Sequence, residues 1–229
     1  MGGAHRAGRR AFHPPRRSGG VPGRTRRLGV TRAVLVHGAS ADGATWASFA
    51  ERLCRLGWEV ETPDLSGGTV EEMADGLVAS VAAGPELAIG HSLGGAVLLL
   101  ARNRLRPRRA VYADPAWRFQ LSSDRQAAGR RFLDSASREE WRQLLPRVPE
   151  ADLDAFMAAA RRWDGGGPTE LDVVPAEPPP VPSLLLLSTE PAFETPRGYQ
   201  VARLRGVGHF MFWEDPEQCL QAIAAFMAG

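Results

Sequence analysis

The chain has no lysine: all 28 of its basic residues are arginine. A bias that complete reflects the base composition of the coding sequence more than a function. Cysteine is almost as scarce. Only Cys54 and Cys219 occur, both in stretches that read as helices, so no disulfide framework is expected and a reducing, cytoplasmic setting is. No cluster of Cys and His has metal-ligand spacing, and no metal or cofactor is implied. No apolar run approaches the roughly 20 residues that span a bilayer, so no membrane association is expected. Acidic residues are missing from one end: residues 1–32 hold nine arginines and no acid. The arginine pairs at 9–10, 16–17 and 26–27 have no aromatic platform beside them, so no nucleic-acid partner is expected. Arg9-Arg10 also lacks the apolar segment that an export signal needs. Residues 1–29, rich in Gly, Pro and Arg and without apolar periodicity, read as a disordered tail.

What remains fits one substantial domain. A chain of 229 residues with 44% hydrophobic content has one core and room for an insertion, not two independent cores. Beyond residue 32 the charge reverses, with 19 arginines against 26 acids. Short apolar runs at 33–36, 58–62, 110–113, 184–187 and 200–204 read as strands. They alternate with helical patterns near 45–56, 69–83, up to 104 and from 216. Thr69 with Glu72 three residues on reads as a capping box. This alternation predicts an α/β fold with a doubly wound, mostly parallel sheet of about six strands. Its ligand site is expected beyond the carboxyl ends of the strands. Residues 115–180 break the pattern: helices near 123–135, 138–145 and 151–163 follow one another without a strand. The last carries Leu153, Phe156, Met157, Ala160 and Trp163 at helical spacing, a stripe that packs or lines a pocket. The division expected is a core of 30–114 and 181–229 with a helical cap at 115–180.

The chemistry centres on Leu87–Ala101, LAIGHSLGGAVLLLA. An apolar strand runs through Gly90-His91-Ser92-Leu93-Gly94 into an apolar helix, the context a G-x-S-x-G nucleophile elbow requires. Ser92 is expected on a strained turn at a helix N-terminus, where free N–H groups can stabilise an oxyanion. A serine needs a base. His5 and His13 fall in the tail, and His91 is expected to turn away from Ser92. His37 reads as structural or as part of an oxyanion loop, which leaves His209, on a loop after the last strand.

These segments together resemble the α/β-hydrolase superfamily. The matching residues are Leu35-Val36-His37-Gly38, Gly90-His91-Ser92-Leu93-Gly94-Gly95, and Gly208-His209 followed by Glu214-Asp215-Pro216. The resemblance covers about 33–115 and 181–229, and the family's first two strands are missing. It implies Ser92 as nucleophile, His209 as base, and the Leu93 and Ala39 N–H groups as oxyanion hole. The acid departs from the pattern, because the strand before the last ends in Ser188-Thr189-Glu190-Pro191 with no Asp. Glu190 fits the chain order and is the first candidate; Asp114, ending an earlier strand, is the alternative acid, and Glu194 a third. The implied activity is ester hydrolysis of a small-molecule substrate through an acyl-enzyme. A lyase, cyclase or perhydrolase on the same residues, or a binding protein that kept the pocket, is the alternative.

Overall fold

The computed structural model describes residues 31–163, 167–188 and 195–229. The expected tail therefore lies outside the described residues. In chain order the elements are β1 (Arg32–Val36), a 3-10 turn (Gly43–Trp46), α1 (Ala47–Arg55), β2 (Glu59–Glu61), α2 (Val70–Ser80), β3 (Leu87–His91), α3 (Leu93–Leu105) and β4 (Arg109–Ala113). An insertion follows, made of β5 (Arg118–Gln120), α4 (Ser123–Ser135), α5 (Arg138–Leu144), α6 (Glu150–Arg162) and β6 (Glu170–Asp172). The chain then returns through β7 (Ser183–Leu187), β8 (Gln200–Arg203), α7 (Met211–Glu214) and α8 (Pro216–Ala228).

Six strands form one sheet in the order β2-β1-β3-β4-β7-β8, every neighbouring pair parallel. All residues of β3 and β7 are buried, as continuous apolar strands covered on both faces must be. Alternation along each strand splits the core in two. Ala33 and Leu35 of β1 face a layer containing Trp46, Phe49, Phe212, Trp213 and Phe226. Val34 and Val36 face Met73, Leu77, Leu98 and Tyr112 from α2, α3 and β4. The chain leaves β1 for β2 on one side and returns to β3 on the other. The order in which strands are added thus reverses between β1 and β3, and a crevice opens beyond their carboxyl ends.

The helices end where local chemistry stops them. Thr69 caps α2 in a full capping box with Glu72, as the sequence indicates. The helix stops at Ser80 rather than near 83, because Val81 is already extended at φ −123°. Arg106 ends α3 in the left-handed region at φ 51°, just before Pro107, whose ring disfavours another helical residue in front of it.

The insertion differs from the sequence expectation in one respect. Its three helices occur, but β5 and β6 also pair, antiparallel, with Phe119 opposite Leu171. Each strand has three residues with a single apolar one at its centre, too short for period-two alternation to show. In α6, Leu153, Phe156, Met157 and Ala160 are buried, and Phe156 packs on Trp213 at 4.8 Å between ring centroids. Helix α4 buries none of its residues.

Candidate active site

Ser92 sits between β3 and α3 at φ 53°, ψ −121°, a conformation that costs a non-glycine residue free energy and persists only when its surroundings impose it. Three backbone bonds do so. The Ser92 N–H donates to the Ala113 carbonyl at 3.0 Å, and its own carbonyl accepts from the N–H groups of Gly95 and Ala116, both at 2.9 Å. The turn also requires bare backbone. A Cβ on Gly90 would stand 2.4 Å from the Gly94 carbonyl oxygen, and one on Gly94 2.4 Å from the carbonyl oxygens of both Val36 and His37. At Gly95 a Cβ would meet Pro115 at 2.7 Å, so this glycine clears the loop after β4. Any side chain at these positions would push α3 off the strands.

Ser92, Leu93, Ala39 and Ser40 together line one wall of a cavity of about 510 Å³. Leu93 begins α3, so its N–H has no acceptor within the helix. Ala39 follows β1 on a loop held by His37. That ring is buried, with Nδ1 2.8 Å from the Gly38 carbonyl and Nε2 2.9 Å from the Leu65 N–H. A backbone N–H can only donate, so Nε2 is the bare nitrogen and Nδ1 carries the proton. Burial lowers the pKa of His37 and keeps it neutral. His37 is a strut for the loop, in line with the structural reading of the sequence.

His209 and Asp114 meet directly: Nδ1 lies 3.4 Å from the Asp114 carboxylate. This is long for a charge-assisted bond, as hydrogen bonds in unliganded sites often are. Asp114 follows β4 at φ 37°, and its N–H donates to the Leu186 carbonyl at 2.9 Å. Its Oδ1 accepts the Ser188 N–H at 2.9 Å, and its Oδ2 accepts the Ser188 hydroxyl. Burial alone would raise this carboxyl, but the hydrogen bonds from His209 and Ser188 outweigh it and hold the pKa below its ordinary value. Asp114 is therefore an anion at neutral pH.

The loop carrying His209 is held from below. The His91 ring, turned into the core, donates from Nε2 to the His209 carbonyl at 2.8 Å, and the two rings lie 4.7 Å apart. Burial first, then the charge of His209, pushes the pKa of His91 down to about 3, so it stays a neutral donor. Gly208 donates to Glu214 at 2.8 Å. The His209 side chain itself is 44% exposed, and among the described residues it forms no hydrogen bond with the Ser92 hydroxyl.

The structure thus brings Ser92, Leu93 and Ala39 to one cavity wall and His209 to Asp114. Glu190 and Glu194 lie outside the described residues. Sequence reasoning missed Ser188 and His91 as supports. Ser188 carried a faint signal, since it directly ends the strand where an acid was sought. Among the described residues no group of His, Cys, Asp and Glu could hold a metal ion. Nor is any helix among them long and apolar enough to cross a membrane.

Comparison with known proteins places this geometry among relatives. The model of the alpha/beta hydrolase family matches residues 33–222. Lipase LipV of Mycobacterium tuberculosis is 30% identical over 156 residues, which cover 57% of this chain and 59% of that protein. The chain therefore spans less than two thirds of that relative's length. An esterase of Thermogutta terrifontis, solved with malate bound, superposes with a TM-score of 0.62 at 21% identity, covering 87% of this chain and 90% of that one. A bromoperoxidase of Bacillus anthracis gives 0.69 at 14% identity, covering 87% and 92%. These two structural likenesses show the fold alone.

Proposed function

The chain belongs to the alpha/beta hydrolase family, and on that premise we propose that it is a serine hydrolase cleaving an ester-like bond of a small molecule through an acyl-enzyme. In this reading His209 takes the Ser92 proton as the hydroxyl attacks the carbonyl carbon. Asp114 holds Nδ1–H of His209, leaving Nε2 bare to act as base, and stabilises the imidazolium that forms. The N–H groups of Leu93 and Ala39 receive the oxyanion. His209 then protonates the leaving alcohol and activates the water that releases the acid. The insertion, residues 115–180, serves as a cap over the cavity. The reading needs no metal or cofactor, and two free cysteines suit a reducing cytoplasm.

One observation carries it. Ser92 is held at positive φ at the start of α3, lining a cavity, while the Asp114 carboxylate meets Nδ1 of His209. The kinship with a lipase supports an ester substrate. A fluorophosphonate probe tests the reading: labelling of wild type, none of Ser92→Ala, and loss of ester hydrolysis with an unchanged melting temperature are expected. Labelling that persists in Ser92→Ala, or hydrolysis at the wild-type rate, would overturn it.

A further inference from the structure

Helix α4 turns one face to the cavity. Arg125, Gln126, Gly129, Arg130 and Leu133 all line it, at the spacing of neighbours on one side of a helix. Two of these side chains are cations, and among the described residues no acid lines the cavity. That contrasts with the body of the chain, where from residue 33 on 19 arginines face 26 acids. The two arginines are not equivalent. The Arg130 guanidinium is engaged by the Asp134 carboxylate and the Trp163 carbonyl. Arg125 forms no ion pair among the described residues, although most arginines of this structure do. The same cavity wall also carries the apolar side chains of Phe119, Leu133 and Trp163.

We propose that Arg125 recognises a carboxylate carried by the substrate at the far end from the scissile bond, so that the preferred esters are half-esters of dicarboxylic acids or close analogues. The proposal rests on the hydrolase reading and gives it a substrate class. The carbonyl would lie at Ser92, an aliphatic spacer along Leu133 and Trp163, and the distal carboxylate in the fork of Arg125. A guanidinium presents two parallel donors that match a carboxylate, so the pair is directional as well as charged. Lysine would supply charge without that geometry.

The test compares two esters of equal chain length, mono-4-nitrophenyl adipate and 4-nitrophenyl hexanoate. Wild type should favour the adipate half-ester in kcat/KM, and the preference should shrink with added salt. Arg125→Gln should lower the ratio of the two kcat/KM values about tenfold, the scale of one charge-assisted hydrogen bond, mainly through KM of the half-ester. Arg125→Lys should recover part of it. A ratio unchanged by Arg125→Gln, or a wild type that prefers the neutral ester at every ionic strength, would overturn the proposal. Calorimetry on Ser92→Ala separates this outcome from failure of the hydrolase reading. Monomethyl adipate, which keeps one carboxylate, should bind about tenfold tighter than the uncharged methyl hexanoate, and Arg125→Gln in that background should erase the difference. Arg125-dependent binding of monomethyl adipate by a protein that hydrolyses no ester would sustain the anion site and sink the hydrolase. Ester hydrolysis with equal binding of the two methyl esters would do the reverse.

Discussion

Replacing Asp114 by Asn probes the site at the point where hydrogen-bond direction decides the chemistry. The Asp114 Oδ1 accepts the Ser188 N–H at 2.9 Å, and because a backbone N–H cannot accept, an asparagine must place its amide oxygen there. Its NH2 then occupies the position of Oδ2, opposite Nδ1 of His209. An NH2 can only donate, so Nδ1 becomes the acceptor and the ring proton moves to Nε2. In that tautomer His209 cannot take the Ser92 proton. The expected loss is about 10³–10⁴ in kcat, the scale of a mis-set tautomer in a Ser-His-Asp site, or about 4–5.5 kcal/mol of transition-state stabilisation. The anchor to Ser188 survives, so the melting temperature should move little. Glu190→Gln, assayed beside it on a chromogenic short-chain ester, should stay within about fivefold of wild type. If Asp114→Asn kept activity within about tenfold of wild type, or Glu190→Gln gave the larger loss, the role of Asp114 would be refuted.

Two further predictions concern stability. Folded His91 and His37 resist protonation, with His91 pushed to about 3 and His37 lowered from 6.5. The unfolded chain takes up those protons near 6.5, so stability is full above that value and declines as pH falls towards about 3. His91 alone should contribute about 1.4 kcal/mol per pH unit across that window. Urea unfolding at pH 7.5 and 5 reads this, and equal midpoints would contradict it. Among the glycines, Gly94→Ala should cost about 3 kcal/mol or more, because its Cβ would meet two backbone carbonyls at 2.4 Å. Gly129→Ala, with open space around it in the interior of α4, should stabilise by about 0.5–1 kcal/mol; thermal melts of equal midpoint would refute the contrast.

The sheet and the elbow were legible in the sequence because their signals are local. Runs such as Ala33–Val36 and Leu184–Leu187 must be buried wherever they go, and the glycines around Ser92 state a steric demand that no other residue meets. The contact of His209 with Asp114 was not legible. It depends on the β4–β7 register, in which Ala113 lies opposite Leu186. That register brings Asp114 beside Ser188, 74 residues away in the chain. Chain order pointed to Glu190; the observed contact of His209 runs to a residue whose rank only the strand pairing reveals.

The insertion shows the other limit of local reading. Ser122 caps α4 and Arg130 pairs with Asp134 one turn on, so the helix has local reasons to form, and its extent was readable. Which way it faces was not, because none of its residues is fully buried and only Phe132 and Leu133, at its C-terminal end, pack against the core. Elsewhere in the fold a hydrophobic face determines what a helix packs against. In α4 that constraint is weak, which leaves Arg125 and Gln126 open to be shaped by what enters the cavity. The residues least determined by folding are therefore those on which the proposed carboxylate site rests.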